Sequence, residues 1–282
     1  MTKLLRYFFK SSSFYWLFGL VLSLLFHSIP VTANDRSIGN SLQVPDAGLG
    51  NQANQPHQHY RPLIIPSTEF RRLASRGGTN GRSRAGTRGD CPAVNGSPEL
   101  TAIVPLAQGS LDNAVVETAI GTTTAAYPTF WFYLPYSTDE IHSVQFVVND
   151  EQDMPLFAPV TVPLNSSFPG LVSIQLPSSS PPLEVGKYYR WYVMLDCSPQ
   201  GGNDAFVDAF VQRVALAPGI AVQLETVSPT ERINLLLDNG SWHEAVSELY
   251  ALQMQSPDDV SIRAAWSSML ELGGITSQSS NK

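Results

Sequence analysis

Groups that commonly carry out chemistry are scarce in this sequence of 282 residues, which contains two cysteines and five histidines. Cys91 and Cys197 are too far apart to resemble the close ligand pairs of a structural zinc site. The sequence contains no nucleophile elbow, zincin helix motif or phosphate-binding loop. From Cys91 onward the only histidines are His142, which opens a predicted strand, and His243, which lies in a predicted helix. We therefore expect no catalytic residue, metal site or cofactor, and no enzymatic activity.

Long apolar runs are also few, and the longest lies near the start of the chain. Three basic residues among the first ten precede an apolar stretch from Phe14 to Phe26, and small side chains follow Pro30 in the segment Val31 to Ala33. This order is that of a secretory signal peptide, so we predict that residues 1–33 are removed on export. An uncleaved anchor is the alternative. No later run is long enough to cross a bilayer, so we expect a secreted or periplasmic protein without membrane contact after cleavage.

Acidic and basic residues are unevenly distributed along the chain. Residues 71–89 contain six arginines and no acidic residue, whereas residues 91–282 contain 6 Lys or Arg against 20 Asp or Glu, a net charge of −14. The acidic folded part and the export signal both argue against nucleic acid as a partner. Residues 34–90 show no sustained hydrophobic period, so we predict a disordered or loosely docked basic leader that leans on the acidic domain or on an anionic surface.

The two cysteines would reach an oxidising compartment if the protein is exported. An even pair is expected to form a disulfide there, and a bond between Cys91 and Cys197 would close a loop of about 106 residues. The chain-entropy model assigns about 4.7 kcal/mol of stabilisation to such a loop. Two unlinked, buried thiols are the alternative.

The part of the chain that follows Cys91 is typical of β-structure, because segments rich in β-branched and aromatic residues alternate with Pro, Gly, Asn or Ser clusters. The predicted strands are residues 101–106, 129–134, 143–149, 156–162, 171–176, 188–196 and 206–214. Alternation with one polar face indicates antiparallel sheets around a single core. We predict an immunoglobulin- or fibronectin-III-like β-sandwich over residues 91–217, and the spacing of Leu183, Gly186 and Tyr189 indicates a tyrosine corner.

Helical signals follow the predicted sandwich. Ser228 to Glu231 predicts a capped helix, Ser241 can cap a second helix, and Ser256 to Asp259 starts a third. We predict a small helical appendage over residues 226–274. The span from Gly240 to Pro257 resembles the second helix of a tetratricopeptide repeat. Stacks of such repeats usually need three or more units, so we favour an appendage packed on the sandwich over a peptide-binding groove.

Five segments together resemble one known family. They are Gly89–Pro92, Leu100–Pro105, Tyr127–Tyr136, Pro169–Pro177 and Leu183–Tyr192. In these segments the chain is similar to the exported family called domain of unknown function 928, found largely in cyanobacteria. The likeness covers roughly residues 89–217 and implies export, a cyanobacterial source and a single type of domain. It implies no reaction, ligand or catalytic residue.

Aromatic side chains are the best candidates for a binding surface. In the strand 129–134, Trp131 and Tyr133 oppose the apolar set that begins at Phe130, and in the strand 188–196, Tyr188 and Tyr192 oppose the core set. If the two strands were neighbours, these four rings would form an outer surface for a glycan or a protein. The alternative is that the C-terminal helices or the leader cover this face.

These features predict an exported, non-catalytic binding or structural module of the cell envelope or extracellular space, with an unidentified envelope protein or glycan as its partner. A carbohydrate-binding module would need exposed, coplanar Trp131 and Tyr133. An enzyme would need a cleft with converging polar groups near His142 or near the acidic segment Asp150 to Asp153. That segment could also hold calcium, although a solvated acidic turn is the simpler interpretation.

Overall fold

The structure, a computed structural model, describes residues 56–76, 90–94, 98–111, 114–164 and 168–275. The predicted signal peptide, residues 1–33, and the arginine-rich stretch 77–89 lie outside these ranges. None of the helices in the described ranges combines the length and the apolar character needed to cross a membrane.

The described residues form nine strands. They are β1 (Thr101–Ala102), β2 (Leu106–Leu111), β3 (Ala114–Thr123), β4 (Thr129–Leu134), β5 (Ser143–Asn149), β6 (Val160–Thr161), β7 (Gly170–Gln175), β8 (Tyr188–Asp196) and β9 (Ala205–Arg213). One sheet has three strands in the order β1-β4-β7, and the other has six in the order β2-β3-β9-β8-β5-β6. All neighbours are antiparallel except β3 and β9, which run parallel. The predicted mainly β class, with helices at the C-terminal end, is confirmed.

The core lies between the two sheets and follows the alternation in the sequence. Phe130 of β4 meets Phe146 of β5 and Trp191 of β8, with ring centroids 5.1 Å and 5.3 Å apart. All three side chains are fully buried, and each such large apolar side chain contributes on the order of 1.5–3 kcal/mol through burial. The hydroxyl of Tyr189 accepts a hydrogen bond of 3.0 Å from the backbone N–H of Glu184, the bond expected of the predicted tyrosine corner.

The disulfide between Cys91 and Cys197 is present, with the two Cα atoms 5.0 Å apart. It joins the chain just before the first strand to the residue that follows β8. The neighbouring Asp204 carboxylate accepts a hydrogen bond of 2.8 Å from the backbone N–H of Cys197. Because the two sulfur atoms are bonded to each other, this group of two cysteines and a carboxylate is not a set of free metal ligands.

The hairpin of β2 and β3 is the main part of the sheet that the sequence did not predict. The hairpin has a glycine at each of two places where a helix packs on it. A Cβ atom added at Gly109 would lie 2.6 Å from the ring of Phe70, and one added at Gly121 would lie 2.6 Å from Nε2 of His243. Small residues permit this close approach but remove the bulky, branched side chains by which strands are recognised. Two predicted strands, 101–106 and 156–162, are conversely reduced to the two-residue strands β1 and β6.

Residues 56–76 of the leader, which was predicted to be disordered or loosely docked, contain two helices, and the second of them docks on the domain. This segment contains the short helix α1 (Pro56–His59) and the helix α2 (Ser67–Ser75), and Phe70 and Leu73 of α2 are 1 % and 0 % exposed. Three-residue spacing places these two side chains on one face of the helix. Two apolar residues are too few to give a visible hydrophobic period, although they are enough to anchor a nine-residue helix.

Four helices follow the sheets, where three were predicted. They are α3 (Pro218–Leu224), α4 (Pro229–Asp238), α5 (Trp242–Gln255) and α6 (Val260–Leu272). Ser228 and Glu231 form a reciprocal capping box at the start of α4, and Asp259 caps α6. Ser241 stands at the N-cap position of α5, but its side chain makes no capping hydrogen bond. Its predicted capping role is therefore wrong, and other contacts position α5.

Candidate functional site

The four aromatic residues considered as a ligand surface do not lie side by side. Trp131 and Tyr133 belong to β4 in the three-stranded sheet, whereas Tyr188 and Tyr192 belong to β8 in the six-stranded sheet. The condition for one shared surface was that these strands be neighbours. The strands lie in different sheets, so the four rings do not form one platform.

Trp131 is covered by α5. Its side chain is 5 % exposed, its indole N–H donates a hydrogen bond of 2.9 Å to Oγ of Ser247, and its ring centroid lies 4.6 Å from that of Tyr250. Tyr250 in turn contacts Trp266 of α6 at 5.6 Å. This is the alternative in which the C-terminal helices cover the aromatic face, and the exposed Trp131 required for a flat sugar platform is absent.

Tyr188 is covered by the leader instead. It packs with Leu73 of α2 on the outer face of the six-stranded sheet, and the guanidinium of Arg72 lies 5.8 Å from its ring centroid. Tyr192 is half-buried farther along the same strand, where the guanidinium of Arg190 lies 4.9 Å from its ring. Burial raises the pKa of both phenols. The leader and the C-terminal helices thus each cover the outer face of one sheet.

Arginines of α2 and its C-cap occupy the acidic turn that was considered for calcium. Arg76 donates to the Asp153 carboxylate at 2.5 Å and to the backbone carbonyl of Asp150 at 2.7 Å, and Arg72 donates to the Glu151 carboxylate at 3.0 Å. The hydrogen bond from Arg76 holds the pKa of Asp153 below its usual value. The turn therefore binds the C-terminal end of α2. This contact agrees with the expected attraction between the basic leader and the acidic domain.

A buried ion pair supports this contact from inside the sheet. Arg190 of β8 donates to the Asp208 carboxylate of β9 at 2.8 Å, and both side chains are at most 8 % exposed. Arg190 also donates to the backbone carbonyl of Arg76 at 2.6 Å, so it bonds the C-terminal end of α2 directly. The guanidinium groups of Arg76 and Arg190 each lie 5.6 Å from the ring of Phe210. The sheet thus presents a charged, hydrogen-bonding pocket for the helix end next to an apolar surface.

Two further buried titratable groups lie in the first turn of α5, where three consecutive residues bond the sheets. The Trp242 indole N–H donates to the Ile103 carbonyl at 3.0 Å, Nδ1 of His243 lies 3.1 Å from the Thr129 carbonyl, and the Glu244 carboxylate accepts from the hydroxyl of Thr123. Burial lowers the pKa of His243 to about 4 and raises the pKa of Glu244. Both residues line a surface pocket of about 200 Å³, and the hydrogen bonds that the structure gives them go to main-chain or hydroxyl groups that fix the helix. His142, by contrast, is exposed at the turn before β5.

Sequence reasoning missed this function of the Trp242-His243-Glu244 segment. The segment belongs to the span that resembles the second helix of a tetratricopeptide repeat, and that resemblance assigns no hydrogen-bonding role to these three residues. An available signal was the occurrence of three large, polar-tipped side chains in succession at a helix start, since such residues are commonly buried only with specific hydrogen-bond partners.

A groove of about 580 Å³ lies where the leader, the edge strand β2 and the end of α6 meet. Its walls include residues 62–65 of the leader, Leu106 and Gln108 of β2, and Leu272 of α6. Glu117 of β3 lies at its polar side, where its carboxylate accepts a hydrogen bond of 3.0 Å from the Gln108 side chain. Among the described residues, β3 is the single strand that pairs with β2, so one edge of β2 has no strand beside it.

A family model described as Domain of Unknown Function (DUF928) matches residues 83–282. The match extends beyond the 89–217 span of the five quoted segments and includes all four helices from α3 to α6. No curated protein matches the chain.

Proposed function

Since the chain belongs to the family described as Domain of Unknown Function (DUF928), we propose from its surface that it is an exported, non-catalytic binding module of the cell envelope or extracellular space. In this proposal its partner is an extended segment of another protein. The groove beside β2 is the binding site. A glycan partner has less support, because Trp131 is buried.

The groove is the observation that carries the proposal. Its volume of about 580 Å³ lies within the range of about 300–1,000 Å³ that is usual for ligand sites. Aliphatic and proline side chains line one wall, and Ile64 there is 91 % exposed. In the described part of the chain one edge of β2 has no strand beside it, and the backbone N–H and C=O groups of such an edge can bond an added strand, which is a common mode of peptide recognition. Glu117 favours a partner segment that carries a basic residue next to its aliphatic residues.

Export is supported by two independent features. The first residues have the order of a signal peptide, and the disulfide between Cys91 and Cys197 suits an oxidising compartment. A bond across a loop of 106 residues would stabilise the domain by about 4.7 kcal/mol in the chain-entropy model. Such stabilisation has value outside the cell, where chaperones are few.

For the fold, we propose an immunoglobulin-like sandwich. β4 and β7 pair in one sheet, as strands B and E do in that fold, and β5, β8 and β9 are neighbours in the other, as strands C, F and G are. The hydrogen bond of Tyr189 near the start of β8 matches the tyrosine corner on strand F. Loops and added strands at the rim of such a sandwich are usual binding positions, and the groove beside β2 is at such a rim.

The proposal is tested with a photo-reactive amino acid placed at Ile64 in the groove and, as a control, at Val222 of α3, which is 65 % exposed. After export in the native host, irradiation is expected to join the chain to one protein from position 64 and not from position 222. Glu117→Arg should abolish that product, while Glu184→Arg, at a 64 % exposed carboxylate away from the groove, should not. Equal products from both positions, or a product insensitive to Glu117→Arg, would overturn the proposed site.

A further inference from the structure

We propose that the outer face of the six-stranded sheet is a receptor for a short amphipathic helix, which α2 occupies as a tethered ligand. The partner that fits this receptor is a helix of another protein with an aromatic residue, an aliphatic residue and an arginine at successive three-residue spacings. These are the positions of Phe70, Leu73 and Arg76. The receptor adjoins the groove, since both include residues of β2 and the leader residues Leu63 and Ile65, but the inference rests on the contacts of α2 and not on the groove.

The apolar part of the receptor is shaped to its ligand. Leu73 packs with a cluster of residues drawn from four strands, which are Ala107, Ile120, Tyr188 and Phe210. The ring of Phe70 lies over Gly109 so closely that an added Cβ atom would be 2.6 Å from it. A glycine at this position in a strand leaves the space that the aromatic ring fills. The face thus has two different positions: the space over Gly109 accepts an aromatic ring, and the cluster around Leu73 accepts an aliphatic side chain.

The polar part of the receptor recognises the basic end of the helix. Arg76 lies over the Phe210 ring and bonds Asp153 and the carbonyl of Asp150, while its own carbonyl accepts from Arg190. A guanidinium is planar and always charged, and it combines aromatic stacking with hydrogen bonding to a carboxylate. Lysine cannot supply both interactions. The receptor therefore selects arginine at the C-terminal end of the helix. The bond from Arg190 to the Arg76 carbonyl requires this end of the helix to lie there, so it also fixes the direction of the bound helix.

The helix is a separate element rather than a part of the sandwich core. Leu73 belongs to a cluster on the outer face, Phe70 packs over Gly109, and the main cluster between the two sheets contains neither of them. Residues 77–89 join it to the domain in sequence. A tethered ligand of this kind acts at an effective concentration of about millimolar, so a partner helix must either bind more tightly or be presented at high local concentration.

The test uses the full mature chain with Phe70→Asp and Leu73→Asp, which removes both anchors and opens the receptor. A fluorescein-labelled peptide of residues 61–76 serves as the partner helix. Fluorescence anisotropy is expected to show binding to the opened chain at least about tenfold tighter than to the unaltered chain, where the tethered helix competes. The peptide with Arg76→Glu should bind at least about tenfold more weakly than the unaltered peptide. Val222→Asp, at an aliphatic residue of α3 that is 65 % exposed, is the control and should leave the receptor closed.

Hydrogen exchange and light scattering decide between the remaining outcomes. The opened chain should stay monomeric and keep slow amide exchange in β8 and β9. If these strands lose protection, α2 is an integral part of the core and the inference is overturned. Retained protection without peptide binding overturns it as well, and so does a dimer formed by exchange of α2 between two copies. Gly109→Ala in the opened chain provides a second check, since it should weaken the peptide by intruding on the Phe70 position without altering the leader.

Discussion

Two helices cover the outer faces of the two sheets, and they are attached by different kinds of contact. α5 is fixed on the three-stranded sheet and on β3 of the six-stranded sheet by buried side chains with neutral partners, and its Trp242 is 1 % exposed. α2 is fixed on the six-stranded sheet by two apolar side chains, by the bond from the buried Arg190 to the Arg76 carbonyl, and by ion pairs whose acidic partners are partly exposed, such as Asp153 at 48 %. The first attachment is dehydrated and the second is partly in water. This difference is the basis on which we propose that α2, and not α5, is the helix that is released.

The physical basis of this difference is solvent access. A hydrogen bond in a dry interface is strong because no water competes for its donor or acceptor, and removing one partner leaves the other buried and unsatisfied. Exposed ion pairs exchange their partner for water and salt, and they are worth about 0–1 kcal/mol each. α2 therefore depends mainly on Phe70 and Leu73, and its arginines contribute direction and selectivity.

The largest expected effect comes from truncating the anchor of α5. Trp242→Ala should lower the free energy of unfolding of the whole domain by about 3–5 kcal/mol, because it leaves a cavity and deprives the Ile103 carbonyl of its donor. Urea denaturation followed by far-UV circular dichroism measures this change. Phe70→Ala is the matched substitution at α2, and it should accelerate amide exchange in α2 while shifting the global midpoint less. The comparison fails if both substitutions lower the midpoint equally.

A second effect separates the attachments by pH. Burial lowers the pKa of His243 to about 4 from 6.5, so the unfolded chain binds the proton more readily. The contribution of His243 is fully present above pH 6.5 and is lost as the pH falls toward 4, by at most about 3 kcal/mol. Burial raises the pKa of Glu244, whose contribution has the opposite sign and is lost as the pH rises through its folded pKa.

The acid effect is measured as the difference in unfolding free energy between neutral and mildly acidic pH. His243→Asn keeps a donor near the Thr129 carbonyl and removes the titration, so the acid-side loss should shrink in this variant. Exchange of α2 amides should show no matching change with His243. An unchanged pH profile in His243→Asn would contradict the assignment of the acid sensitivity to α5.

The sequence predicted the bounds of the strands in which large side chains alternate. It did not predict the strands whose residues are chosen by packing partners that are distant in sequence. β4, β5 and β8 have the predicted bounds because Phe130, Phe146 and Trp191 supply clear inward positions. The hairpin of β2 and β3 was missed because Gly109 and Gly121 are small to admit Phe70 and His243, which lie far away in sequence. Strands are recognised in a sequence by the types of their own side chains. These two glycines are required by tertiary contacts, which the local sequence does not show.

The candidate site was predictable in its parts and not in its arrangement. The alternation placed Tyr188 and Tyr192 on the outer face of their strand, and the uneven charge suggested that the basic leader contacts the acidic domain. The arrangement of the four aromatic rings depends on which sheet each strand joins. β4 and β8 lie in different sheets, and each outer face has its own covering helix. Strand order depends on long-range pairing, which periodicity within one segment does not encode.

A smaller effect concerns salt. The pairs Arg72–Glu151 and Arg76–Asp153 are partly exposed, so about 1 M salt, with a screening length of about 3 Å, should weaken them by about 1 kcal/mol in total. Amide exchange within α2 should then become about fivefold faster, whereas exchange within α5 should not, because its partners are neutral and buried. Equal acceleration in both helices would indicate that the two attachments do not differ in the way their contacts suggest.

The smallest expected effect tests whether the leader is released as a whole or in parts. Asp238 of α4 accepts from Nε of Arg61 at 3.4 Å and lies 3.2 Å from Nδ1 of His59, so it binds the α1 end of the leader alone. Asp238→Asn should cost about 0.5 kcal/mol or less, because both contacts are partly exposed. Exchange of the Tyr60 amide, which donates to the Pro56 carbonyl, should quicken while α2 amides keep their rates. Coupled acceleration of both helices would mean that the leader detaches as one unit, and a receptor for α2 alone would then be too narrow a description of the covered face.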